Sequence, residues 1–329
     1  MSISLIDIEE LMPEKIITND YFGEEEIRRT NRMFSGTDER RHIGRDELAS
    51  DYLSSAALKL IARLGINPAS DIDMIVTNVS IPDEPFTGCG AVINKKISAN
   101  AKWVFDIHNT GCISFLYLTD LVHTYMQVNK VRHALICVAQ TAAGRIFGQE
   151  DTRQMAQAAI PGDGFAVVYV TNNSERPFLT FEFENYPEFS EDMKSACNGR
   201  HWWESRESSG SIDFNENKAA MIIGRGNKTV PKMIKKVCAN LDLNHTQIDY
   251  LITNQPNVNF LRNWREAISL PAERQLHTFD KYANLFGAAI PVNLATFVKN
   301  KTIKAGDLVC LAGFSHACDY SAAALIRWT

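Results

Sequence analysis

The sequence predicts an α/β protein built from one unit used twice, and three observations point there. Short runs that are apolar throughout, "DIDMIVTNVS" (71–80), "HALICVAQ" (133–140) and "FAVVYV" (165–170), read as strands of a sheet covered on both faces. The stretch "ASDYLSSAALKLIARLG" (49–65) spaces its apolar residues as an amphipathic helix does. Finally, "DIDMIVTNVS" recurs as "QIDYLITNQP" (247–256) and "HALICVAQ" as "DLVCLAGF" (307–314). The offset is about 175 residues each time, too long for a solenoid repeat and suited to a duplicated domain. The expected halves are 1–172 and 173–329.

Each element follows from its local chemistry. The helix at 49–65 leads into the first recurring strand, and a helix-like stretch likewise precedes its second copy. "HNTGCISFLYLTDL" (108–121) is a polar turn opening an apolar helix, and "ANLFGAAIPVNLATFV" (283–298) stands opposite it in the second half with the same design. "GDG" at 162–164 is too short for a phosphate loop and reads as a tight turn starting a strand. The segment 184–216 breaks the pattern, carrying Trp202 and Trp203 among Ser, Gly and charged residues. An irregular insertion of that length either walls a substrate site or packs on the body.

Composition limits the functions available. The chain has 329 residues, 45% hydrophobic and 22% charged, enough for a large core. A net charge of -5 without any long basic run argues against nucleic-acid and anionic-membrane partners. The start, "MSISLIDIEELMPEKIIT", lacks the basic end and apolar stretch of a signal peptide, and no apolar run reaches membrane-spanning length, so the cytoplasm is expected. Seven cysteines are odd in number and dispersed without a Cys-x-x-Cys pair, which suggests neither a disulfide framework nor a zinc site.

Chemistry concentrates at the two matching turns. In a duplicated sheet they can face one another, which would bring Cys112 beside Asn284. A thiol at a helix N-terminus feels the positive dipole end and unpaired N–H groups, which favour thiolate and could hold an oxyanion. Spacing alone leaves a small packed core thiol open as well. His108 and His123 flank the cysteine in sequence without forming a metal pair.

Several stretches together resemble the β-ketoacyl-ACP synthase III group of the thiolase superfamily, over essentially the whole chain. They are "GTDERRHI" (36–43), "FDIHNTGCISFLY" (105–117), "PGDGFAVV" (161–168), "DYLITNQPN" (249–257), "KYANLFGAAIPVNL" (281–294), "IKAGDLVCLAGF" (303–314) and "AAALIRW" (322–328). The resemblance implies a five-layered αβαβα sandwich of two thiolase-like halves, assembled as a homodimer. It implies an acyl-thioester on Cys112, loaded from coenzyme A or a phosphopantetheinyl acyl carrier protein as substrate, with no tightly bound cofactor. By the same token Asn257 matches a pantetheine-contacting asparagine, a position that also suits a backbone-turning role. Phe86 matches a residue that crosses the dimer interface to close the partner's acyl pocket.

Three departures from the family pattern shape the expected activity. The histidine of the "PHQAN"-like motif is Asn254, in "TNQPN", and an amide can donate a hydrogen bond but cannot act as a base. The C-terminal glycine-rich loop, usually like "GFGAG", reads "GFSHACDY" (313–320), bringing His316 as a relocated base and Asp319 to orient it. Packing or capping roles suit the same two residues. The stretch "RRTNRMFSG" (28–36) lacks the tryptophan with which coenzyme-A-primed members hold adenine, which favours carrier-protein delivery. The expectation is transfer of the Cys112 acyl group to a small-molecule acceptor in polyketide or other secondary-metabolite synthesis. Decarboxylative condensation with malonyl-ACP and a noncatalytic partner subunit are the competing readings.

Overall fold

Central strands buried along nearly their whole length set the layers of the molecule. The structure, a computed structural model, describes residues 2–22, 36–108, 110–128, 130–196, 211–212 and 216–329. In the first half, strands β1 (Ser4–Leu11), β2 (Met74–Val79), β3 (Trp103–Asp106), β4 (His133–Gln140) and β5 (Gly164–Thr171) form one sheet in the order β1-β5-β4-β2-β3. In the second, β6 (Phe178–Asn185), β7 (Tyr250–Thr253), β8 (Leu308–Ser315) and β9 (Tyr320–Arg327) form another in the order β7-β8-β9-β6.

The two sheets repeat one register. Gln140 pairs with Gly164 across antiparallel β4 and β5, as Ser315 pairs with Tyr320 across β8 and β9. Met74 lies beside Ala134 across parallel β2 and β4, as Tyr250 lies beside Val309 across β7 and β8. Where β3 completes the first sheet, the second has a single bridge from Leu251 to Gln275.

Helices cover both faces of each sheet, giving the five-layered αβαβα thiolase-like sandwich. Ala134, Ile136 and Val138 of β4 face the central core, and so do Val309 and Leu311 of β8. That core encloses helices α3 (Ser114–Gln127) and α6 (Ala289–Lys299) between the sheets. The alternate residues Leu135 and Cys137 face α1 (Ala49–Leu64) and α2 (Gly90–Lys96) on one outside. Cys310 and Phe314 face α4 (Glu216–Ala239) and α5 (Val258–Ala267) on the other. Helix α1 buries Leu53, Ala56, Ala57, Leu60 and Ile61, one stripe of the amphipathic pattern, and stops at Gly65 in the left-handed conformation. Each fully buried Leu or Ile on that stripe contributes roughly 1.5–3 kcal/mol.

Most elements match the expected positions, with "GDG" ending where β5 begins. Trp202, Trp203, Cys197 and the stretch 28–35 lie outside the described residues. The described part of the 184–216 insertion holds a 3₁₀ turn, Pro187–Phe189, and brings Met193 to the cavity described next. Among the described residues, no helix is long and apolar enough to cross a membrane.

Candidate active site

The turns that open α3 and α6 meet between the sheets. Gly111–Ile113 forms a 3₁₀ turn ahead of α3, with Gly111 at φ 52, and Phe286–Ala288 forms its counterpart ahead of α6, with Phe286 at φ 45. They touch so closely that a Cβ built on Gly287 would stand 2.4 Å from Ser114 Oγ and 2.8 Å from the Gly111 carbonyl oxygen. Around this contact opens a cavity of about 690 Å³ whose lining includes Cys112, Asn254, Asn257, Asn284 and His316. Exposed Ile223, Asn259 and Arg262 also line it, whereas Asn254 and Asn284 are buried, so the cavity runs from the surface into the core.

Cys112 sits on the 3₁₀ turn, two residues before α3 begins. The expected preference for thiolate is corrected here. Burial pushes the thiol up to about 12, although the Asn254 amide within hydrogen-bond reach and a backbone N–H pull the other way. Desolvation of a charge at this position outweighs those two donors. The shift favours the neutral thiol at rest.

Asn254 follows the last residue of β7 and is fully buried. Its Nδ2 donates to the Phe314 carbonyl at 3.0 Å and its Oδ1 accepts from the Phe314 N–H at 3.3 Å. The backbone N–H and C=O of one residue thus fix the orientation of the amide and leave it one N–H for the cavity. Gly313 makes room for it, since a Cβ there would lie 2.3 Å from Asn254 Oδ1. Asn284 is held by its backbone, which donates to Ile160 O and accepts from Gly162 N. Its Oδ1 accepts from Phe286 N at 3.0 Å, so the NH₂ is the group it offers the cavity. Asn257 caps α5, its Oδ1 accepting from Asn259 N and Phe260 N, while its side chain also lines the cavity. The capping and the cavity-lining positions coexist in one residue.

His316 occupies the left-handed region at φ 49, a conformation that favours glycine. Its Nε2 lies against the α-carbon of Gly111, where a Cβ would approach within 2.8 Å. Its Nδ1 faces Asp319 Oδ1 at 3.4 Å. Asp319 does not line the cavity; it is buried behind the imidazole, and its Oδ1 makes no hydrogen bond. Phe86 does not line this chain's own cavity and is 96% exposed.

Several polar residues at the cavity escaped the sequence reading, His108 and Asn78 among them. His108, considered above only as a metal ligand, follows β3 by two residues and lines the same cavity as Cys112. Asn78 also lines it, with Nδ2 donating to Ile107 O at 2.8 Å. The recurrence itself held the signal for Asn78, because "TN" closes both "DIDMIVTN" and "QIDYLITN". Cys89, Cys137, Cys238, Cys310 and Cys318 are buried away from the cavity. Among the described residues, no group of three or more His, Cys, Asp or Glu could hold a metal ion.

Comparison with known proteins agrees with this architecture. Residues 105–187 match the 3-oxoacyl-[acyl-carrier-protein (ACP)] synthase III family and residues 238–328 match its C-terminal region, together more than half of the chain. The β-ketoacyl-[acyl-carrier-protein] synthase III of Alkalilimnicola ehrlichii is 24% identical over 325 residues, covering 96% of each chain. Among solved structures, the 3-oxoacyl-[acyl-carrier-protein] synthase III of Aquifex aeolicus superposes with a TM-score of 0.84 at 19% identity, covering 99% of each chain. OleA of Xanthomonas campestris does so at 0.83 and 14%, covering 100% of this chain and 97% of its own.

Proposed function

The chain belongs to the 3-oxoacyl-ACP synthase III family of thiolase-fold acyl-condensing enzymes, and from that premise we propose a Cys112-centred acyl transfer with His316 as its base. The observation that carries this reading is the imidazole packed on Gly111, immediately before a cysteine whose thiol is neutral at rest. A neutral thiol needs a proton acceptor as it attacks, and neither Asn254 nor Asn284 can serve.

Loading begins when Cys112 Sγ attacks the thioester carbonyl of an acyl carrier protein or coenzyme A donor and its proton passes to His316 Nε2. The amide N–H groups of Asn254 and Asn284 stabilise the oxyanion. Collapse breaks the carbonyl–sulfur bond of the donor, and the departing thiol takes the proton back from His316. In the second step an acceptor X–H gives its proton to His316 as X attacks the acyl carbon, and Cys112 leaves and recovers that proton as thiol. Asp319, its Oδ1 3.4 Å from Nδ1, favours a proton on that nitrogen through its charge rather than a formed hydrogen bond, which leaves the basic lone pair on Nε2. The products are the acylated acceptor and free enzyme; no tightly bound cofactor takes part. The acceptor belongs to polyketide or other secondary-metabolite synthesis, and Phe86 reaches the acyl pocket of a second copy in a homodimer.

Intact-protein mass spectrometry after incubation with acyl-ACP and acyl-CoA donors tests the reading. The native chain should gain the acyl mass and Cys112→Ala should not. His316→Asn, chosen because Asn tolerates the left-handed backbone, should load about a hundredfold more slowly. Rapid discharge by malonyl-ACP with release of carbon dioxide would replace acyl transfer with decarboxylative condensation. Failure to load from any donor would indicate a noncatalytic partner subunit.

A further inference from the structure

The hydroxyl of Ser315, the last residue of β8, is fully buried and has both kinds of bond filled. It donates to the Thr110 carbonyl at 2.8 Å and accepts from the Ile113 N–H at 3.2 Å. Those two groups bracket Gly111 and Cys112, so a side chain from the second half ties down the peptide on either side of the nucleophile. The next residue along the chain is His316. A Cβ built on Gly111 would meet both neighbours, His316 Nε2 at 2.8 Å and Ser315 Oγ at 2.9 Å, so the three residues share one tight contact.

The fold does not demand this tie. At the matching place in the first sheet, the end of β4, stands Gln140, buried with neither end of its side-chain amide hydrogen-bonded. The hydrogen-bonding serine is therefore peculiar to the half whose strand end precedes His316.

We propose that Ser315 is a positioning residue that sets the separation of Cys112 from His316. The inference rests on the reading of His316 as base. Without the hydroxyl, the Thr110 carbonyl and the Ile113 N–H lose this partner, and the nucleophile turn is free to shift against the imidazole. Proton transfer depends steeply on such a shift, a misplacement of about 1 Å costing up to about a hundredfold.

The experiment compares single-turnover loading of Ser315→Ala, Ser315→Thr, His316→Asn and the double variant S315A/H316N in the full chain, with melting temperature recorded for each. Ser315→Ala should load about tenfold to a hundredfold more slowly at saturating donor, with the half-saturating donor concentration changed less than about twofold. Ser315→Thr, which restores the hydroxyl, should recover most of the rate. Ser315→Gly is a second hydroxyl-free variant, expected to load as slowly as Ser315→Ala. The double variant should load no more slowly than His316→Asn alone, because a misplaced base and a missing one are the same defect. Losses that multiply in the double variant, or native loading by Ser315→Ala, would overturn the inference while leaving the base intact. Native loading by His316→Asn would overturn the base reading, and this inference with it.

Discussion

Cys112 in the first half and Gly287 in the second occupy the same place, each the middle residue of a 3₁₀ turn that feeds a helix buried between the sheets. One position carries the cysteine proposed as nucleophile, and the other is a glycine pressed against Ser114 Oγ and the Gly111 carbonyl. The pairing continues outward. Asn78 and Asn254 close equivalent strands; the first makes one bond, to Ile107 O, and the second makes two, to Phe314 N and O. Asp163 and Asp319 each stand immediately before the strand that returns beside the central one. Asp163 accepts three backbone N–H groups, from Ile43, Ala143 and Gly144, whereas Asp319 faces His316. In each pair the equivalent positions are put to different use: the asparagines both line the cavity but bond different backbone groups, and of the aspartates one holds three N–H groups while the other stands behind an imidazole. Duplication supplied the positions, and chemistry was added to them asymmetrically.

The largest break in this comparison is expected from Gly287→Ala. Filling that gap should move the nucleophile turn, slow loading about a hundredfold, and cost roughly 1–3 kcal/mol of stability, read by loading kinetics and denaturant unfolding. Near-native loading would mean that the two turns do not bear on each other in solution. A middle-sized effect separates the asparagines. Asn254→Ala leaves two buried groups of Phe314 without partners and should cost about 2–4 kcal/mol with a tenfold or greater loss of loading. Asn78→Ala should cost about 1–2 kcal/mol and leave loading within about threefold; equal losses would erase the distinction drawn between the halves.

The smallest effect on loading concerns the aspartates. Burial raises the Asp163 carboxyl to about 7 against the pull of its three N–H donors. Its folded value lies above its unfolded one, so its stabilising contribution is complete below about pH 4 and is lost as pH rises through 7. Stability should therefore fall by an amount on the order of 2 kcal/mol between pH 5 and pH 8, and Asp163→Asn should flatten that slope. Asp319→Asn should leave the slope in place and slow loading only a few-fold. Calorimetry across pH, set beside loading rates, distinguishes the two.

The duplication was legible because buried strands leave long apolar runs, as in β4 and β5, whose positions the sequence marks closely. Strand β6 was not, since "FLTFEFEN" is half-buried along most of its length and alternates too weakly to stand out. The second-half counterpart of β3 shrank to one bridge and has no pattern to read. At the site, Cys112, Asn254, Asn257, Asn284 and His316 stood in recognisable motifs and meet in one cavity. Ser315 went unnoticed because its meaning lies in bonds to backbone more than two hundred residues away. The direction of the Cys112 shift was missed for a related reason: position before a helix is visible in sequence, but desolvation is not.

A thiol pushed well above its ordinary value is overwhelmingly protonated at neutral pH. Peroxide and the electrophiles of ordinary metabolism react with thiolate, so the cysteine is chemically quiet between turnovers. In the mechanism proposed above, reactivity comes with the substrate, when a carbonyl is in place to receive the electrons and an imidazole to receive the proton. On the proposed reading, reagents that imitate an acyl donor should modify this cysteine far more readily than those that only seek sulfur.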